Sequence, residues 1–154
     1  MINLYVKYNF KEKLLIIGDG ELKKNLLTLI KNYNLEKKIS ILPYQKNIFY
    51  HIRQSKAVII PSLWEDPGFV MIESAFCKKL IICSDCPSGP KEFIGKNKGG
   101  FLFKSNSLKS LQDALNRFNK SNRKTIFEKI KYAKNKCKIY SIKNHTKIIS
   151  NYLS

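Results

Sequence analysis

Apolar residues in this chain fall into two kinds of run. Residues 13–17 (KLLII) are nearly continuous and end in Gly18-Asp19-Gly20, which predicts a strand followed by a turn. Leu22, Leu26, Leu29 and Ile30 then recur at the spacing of one helix face. Residues 38–42 predict a second strand, stopped by Pro43, and Ile48 with Ile52 marks a short helix ending near Ser55. Residues 57–60 (AVII) predict a third strand, wholly apolar and stopped by Pro61. A helix over 70–77, a strand over 80–83 and a strand over 100–103 follow. Three helices, over 108–118, 124–136 and 141–153, close the chain.

Strands alternating with helices imply an α/β fold, a Rossmann-like parallel sheet with helices on both faces. Val58-Ile59-Ile60 lacks polar alternation, as expected of a strand buried on both sides. Ligands of such folds bind outside the carboxyl ends of the strands. That rule singles out Gly18-Asp19-Gly20, Pro43-Tyr44, residues 61–68 and residues 84–91. With no internal repeat or linker, residues 1–154 are expected to form a single domain.

The longest apolar runs reach about four residues, far short of the ~18 needed to cross a bilayer. The first thirteen residues alternate polar and apolar positions without a stretch of signal-peptide length, so a cytoplasmic location is expected. In that compartment the four cysteines are expected to be reduced. Cys83-Ser-Asp-Cys86 has redox or zinc spacing, but a zinc site wants a second pair or two nearby histidines, and only His51 and His145 exist. No metal-binding Asp-x-Asp is present, so neither metal nor cofactor is expected. The dinucleotide fingerprint fails too, because Lys23 stands where its third glycine belongs.

The net charge of +18 is concentrated late: from residue 117 onward, eleven Lys and Arg face one acid, Glu128. Solvated lysine surface is the leading reading, an anionic membrane surface the next and nucleic acid the last. No base-stacking platform or recognition helix accompanies the lysines, so no nucleic-acid partner is expected.

The chemistry lies in Pro61-Ser62-Leu63-Trp64-Glu65-Asp66-Pro67-Gly68-Phe69-Val70-Met71-Ile72-Glu73. Glu65 follows a buried strand, Pro67-Gly68 makes a turn, and Glu73 falls about one turn into the next helix. Amides of Gly68, Phe69 and Val70 at the helix start favour an anion such as a diphosphate. The carboxylates suit sugar and ribose hydroxyls, each charged hydrogen bond being worth about 1.5–3 kcal/mol. Taken alone, two glutamates at this separation would be chance.

The segment resembles the E-x7-E signature of the large retaining glycosyltransferase family (family four, group 1 type) that contains sucrose synthases and many bacterial polysaccharide transferases. The resemblance extends along nearly the whole chain. LLIIGDG (14–20) looks like that family's first strand, ILPY (41–44) its base-contacting loop, and LIICSD with GPKEFI (80–85, 89–94) its next strand and a segment near the donor sugar. GGFLF (99–103) is similar to its last strand, and residues 140–153 to its closing helix. The resemblance implies a C-terminal, donor-binding half of a two-domain GT-B enzyme. It implies that Glu65 is catalytic and meets the donor sugar, that Glu73 holds ribose hydroxyls, and that Gly68, Phe69 and Val70 offer amides. Gly18, Pro43, Tyr44 and Lys91 complete the implied donor set. The donor would be a UDP- or GDP-sugar, and the acceptor a polysaccharide, lipopolysaccharide or polyprenyl-linked molecule at the inner membrane face.

Two departures stand out. The family's donor domain opens with a strand, a glycine loop and an Arg and Lys that neutralise the leaving diphosphate, and nothing of that form precedes Leu14. The acceptor domain, normally N-terminal, is expected to be missing from this chain as well. Leaving-group stabilisation is usually a large catalytic term. The chain alone is therefore expected to bind donor poorly and transfer little, with a separate acceptor-domain chain as an expected partner. The alternative is a non-catalytic nucleotide-sugar-binding or membrane-docking fragment of a split or decayed transferase.

Overall fold

The computed structural model describes the chain apart from Asn9, Pro67 and Ser154 and the side chains of His145, Lys147 and Leu153. It divides into two compact units, Met1–Ile48 and Phe49–Ser154.

In the first unit, helix α1 (Ile2–Tyr8) precedes β1 (Leu14–Ile17), α2 (Lys23–Asn32) and β2 (Ile39–Leu42). The strands pair in parallel with Leu14 opposite Ile39 and Ile17 opposite Leu42. Ile2 and Tyr5 of α1 join Ile30, Leu35 and Ile39 in one apolar core, with Leu26 and Leu29 packed against it. The α2 residues are those whose spacing predicted the helix. Helix α1 has no such signal, because its alternating residues give no helical period. Burial of Ile2, Leu4 and Tyr5 supplies the stabilisation that propensity does not.

The second unit continues through α3 (Ile48–Gln54), β3 (Ala57–Ile60), α4 (Phe69–Phe76), β4 (Leu80–Ser84), α5 (Pro90–Ile94) and β5 (Phe101–Phe103). Helices α6 (Leu108–Lys120), α7 (Arg123–Cys137) and α8 (Ile142–Leu153) complete it. Its sheet has the order β3-β4-β5, with both pairings parallel. Parallel strands flanked by helices are thus the architecture of both units, as the alternation of elements predicted.

One expectation needs correction. The strand buried throughout is β4, whose five residues are all inaccessible, whereas in β3 only Ile60 is buried. Position explains this: β3 lies at a margin of its three-stranded sheet and β4 at the centre. Met71 and Ala75 of α4, Phe93 and Ile94 of α5, and Ala133 and Cys137 of α7 pack with Ile81 and Cys83 in the core. Helix α5 carried no sequence signal because its five residues are too few for a period. Pro90 in its first turn, with φ already preset, and Gly89 as cap explain why it starts there.

Helices α6 and α7 are each capped by a side chain. Ser107 Oγ accepts from the Ser110 amide and Asn122 Oδ1 from the Thr125 amide. Cations of these helices also hold β5 and the segment before it. Arg117 donates to the Leu102 carbonyl at 2.7 Å, and Lys129 donates to the Asn97 carbonyl while lying 4.6 Å over the Phe101 ring. Lys134 donates to the Phe76 carbonyl at 3.1 Å with that residue's ring 3.9 Å away. Part of the late positive charge therefore performs internal work.

Candidate functional site

Within each unit the parallel register places the singled-out loops at the carboxyl ends of the strands. In the first unit Gly18 extends the ladder by donating to the Leu42 carbonyl at 3.0 Å, and its φ of +143° suits glycine. Asp19 then bridges two loops: one carboxylate oxygen accepts from Lys23 Nζ at 2.6 Å, the other from the Tyr44 amide at 2.7 Å. These bonds, the lysine first, hold its pKa below the ordinary carboxylate value. Pro43 and Tyr44 are exposed, Tyr44 to 75%. Asp19 lay in a segment the sequence singled out but was given no role of its own. A carboxylate between two glycines gives no sign that it will reach a loop 25 residues on.

In the second unit, the loop after β3 carries Glu65. Its Oε1 accepts from the Ser62 hydroxyl at 2.5 Å, and the Ser62 carbonyl accepts from the Ser84 hydroxyl at 2.5 Å. Gly68, at φ +81°, caps helix α4 in the left-handed region, and a Cβ there would lie 3.3 Å from Glu65 Oε2 and 3.1 Å from Met71 Cε. The positive φ favours glycine here, and an added Cβ would also press on the ends of these two side chains. The Pro67 half of the predicted Pro67-Gly68 turn lies outside the described residues.

Helix α4 begins at Phe69, so the amides of Phe69 and Val70 belong to its first turn, which leaves them without partners inside the helix. Phe69 is 70% exposed and Val70 45%. Glu73 lies one turn further, half-buried, and burial pushes its pKa up. Glu65, Gly68 and the α4 start are thereby joined in one local arrangement, with Glu73 on the same helix.

Lys91 belongs to the neighbouring loop and helix. Its ammonium lies 3.8 Å from Asp85, whose other oxygen accepts from the Ser105 amide at 2.7 Å. Asp85, Lys91, Glu92, Lys96 and Lys104 line an open depression together with Leu102 and Phe103. Cys83 and Cys86 are buried free thiols, and burial with nearby negative groups pushes Cys83 up to about 12. Among the described residues no group of three or more His, Cys, Asp or Glu could hold a metal ion.

Residues 6–148 match the Glycosyl transferases group 1 family. An N-acetylgalactosamine-N,N'-diacetylbacillosaminyl-diphospho-undecaprenol 4-alpha-N-acetylgalactosaminyltransferase of Campylobacter jejuni is 31% identical over 150 residues, 90% of this chain and 41% of the relative. The amylovoran biosynthesis glycosyltransferase AmsD of Erwinia amylovora is 37% identical over 100 residues, 65% of this chain and 28% of the relative. Among solved structures, S. aureus TarM, in a complex that includes UDP, superposes with a TM-score of 0.81 at 25% identity, over 99% of this chain and 30% of that one. The chain therefore spans less than half the length of the relatives it matches. By its match over nearly its whole length, this chain belongs to the group 1 glycosyltransferases.

Proposed function

We propose that this chain binds the nucleotide-sugar donor of a retaining glycosyltransferase, a UDP- or GDP-sugar, for transfer to a polysaccharide, lipopolysaccharide or polyprenyl-linked acceptor. The observation that carries this reading is the arrangement after β3. A loop glutamate is anchored beside a left-handed glycine, at the open amide end of a helix that carries a second glutamate one turn in. Each part has a use for such a donor. The helix start favours the diphosphate. Glu65 accepts from hydroxyls of the transferred sugar as the catalytic carboxylate, and Glu73 accepts from ribose hydroxyls. Lys91 adds positive charge. The UDP in the TarM complex supports the ligand class.

Replacing Glu73 by alanine is expected to weaken UDP binding about 10- to 100-fold, the worth of a charged hydrogen bond, while the melting temperature stays near that of the parent. Titration calorimetry with millimolar UDP checks this. Equal affinities would remove the ribose role.

Transfer requires an acceptor-binding part, which a separate chain could provide, and lipid-linked acceptors would place the protein at the inner face of the cell membrane. No helix among the described residues is long and apolar enough to cross a membrane. Attachment would instead be electrostatic, each Lys or Arg near an anionic surface contributing about 1 kcal/mol. Arg117, Lys129 and Lys134 are engaged internally, so the exposed lysines elsewhere in α7 and α8 must carry it. Co-sedimentation with phosphatidylglycerol vesicles is expected at ~0.15 M salt, where screening acts over ~8 Å. Equal binding to phosphatidylcholine, or binding at low salt alone, would leave the lysines as solvated surface.

A further inference from the structure

We propose that Ser84 and Ser62 form a positioning relay that orients the Glu65 carboxylate against the transferred sugar; this rests on the reading of Glu65 as the residue that meets that sugar. Two polar side chains are buried among the described residues, Ser74 and Ser84. Ser74 donates to the Val70 carbonyl one turn back in its own helix, at 2.6 Å, a local bond open to any serine within a helix. Ser84 behaves differently. It ends the otherwise apolar strand β4 and donates its hydroxyl proton to a carbonyl 22 residues away.

A hydroxyl buried so completely costs free energy unless it is bonded. The loop after β3 supplies its partner. The β3–β4 ladder reaches its last register pair at Ile60 and Cys83. Pro61 follows and has no amide proton, so the chain leaves the sheet there. The Ser62 carbonyl, one residue beyond, has left the ladder, and Ser84 satisfies it. With its backbone fixed from below, Ser62 turns its hydroxyl to Glu65 Oε1 at 2.5 Å, a charge-assisted bond. The other oxygen, Oε2, lies on the side of Gly68 and the start of α4. The relay thus runs from the floor of the sheet to the carboxylate, engages one oxygen and leaves the second for a ligand hydroxyl. Without it a loop glutamate would distribute over several rotamers, and ordering it on binding would weaken recognition.

The test compares Ser62→Ala, Ser62→Thr, Ser84→Ala and the parent, each titrated with UDP, with UDP-N-acetylgalactosamine and with UDP-glucose, after thermal melts confirm folding. The measured quantity is the sugar increment, the ratio of UDP-sugar affinity to UDP affinity, which a general loosening of the fold would not move. Ser62→Ala is expected to reduce that increment about tenfold for the sugar the parent prefers, with UDP affinity held within about twofold. Ser84→Ala reduces it in the same direction, and Ser62→Thr, which keeps the hydroxyl, restores it. An increment unchanged in Ser62→Ala, or a Ser62→Thr variant as impaired as Ser62→Ala, overturns the relay while leaving the donor reading intact. A parent that binds none of the three nucleotides overturns the donor reading, and the relay falls with it.

Discussion

Replacing Gly100 by alanine is expected to lower the melting temperature by about 6–12 °C. Gly100 lies immediately before β5, which pairs with β4 from Ile82 opposite Phe101. A Cβ at this position would drive into the carbonyl oxygen of Ile81 and stand 3.1 Å from Ile94 Cδ1. Ile81 is fully buried in the central strand, so the atom that must yield is backbone in the middle of the sheet. Overpacking of this kind costs about 1–3 kcal/mol and occasionally more, and strand displacement belongs at the upper end. At about 2–4 °C per kcal/mol for a chain of this size, a loss of about 3 kcal/mol gives the stated shift. Gly20→Ala is the control, because a Cβ there meets nothing within 4 Å. Circular dichroism melts of the two variants decide the matter. A Gly100→Ala protein melting with the parent would show that β4 and β5 are not held as closely as described.

The second large effect is alkaline. Desolvation, with smaller contributions from Cys86, Glu65 and Asp85, raises Cys83 from 9.0 to about 12. Its thiol is therefore neutral in the folded chain over a range in which the unfolded chain already carries a thiolate. The stability this represents is fully present below pH 9 and is lost as pH rises toward 12. The ceiling on that loss is about 4 kcal/mol, from roughly 1.4 kcal/mol per unit. Denaturant unfolding between pH 8 and 11 should show a steeper decline for the parent than for Cys83→Ala, from which this titration is absent. Parallel slopes would mean that Cys83 is less buried than it appears. At pH 8 the folded-state thiolate population of Cys83 is about a thousandfold below that of an unperturbed thiol. Iodoacetamide followed by peptide mapping is accordingly expected to modify the half-buried Cys77 long before Cys83.

What the sequence made legible follows from which forces leave a periodic trace. Each of the five strands was readable because parallel strands are built from nearly continuous apolar runs, as LLII and LIIC are. Helix α2 was readable from spacing, and α6 and α7 were readable as helical stretches, but their caps Ser107 and Asn122 were not singled out. The pair Glu65 and Glu73 was readable only through the family resemblance, since two acids at that separation carry no physical signal of their own. Helices α1 and α5 escaped because the one depends on tertiary burial and the other is too short. Ser62, Ser84 and Asp19 escaped for a related reason. Their significance lies in hydrogen bonds that span 3, 22 and 25 residues, and the longer two exist only after the strands have aligned. The charge run was legible in amount but not in use, since Arg117, Lys129 and Lys134 act as internal clamps.

The end of β4 serves two clients at once. Ser84 grips the loop that follows β3, and Asp85 accepts from the Ser105 amide in the loop that follows β5. For anyone recombining this protein with its relatives, these loops are not independent cassettes. A transplanted segment 61–68 arrives without its anchor unless residues 84 and 85 travel with it, and altering residue 85 in turn releases the loop on the far side. The smallest unit that can be exchanged whole is the strand end together with both flanking loops.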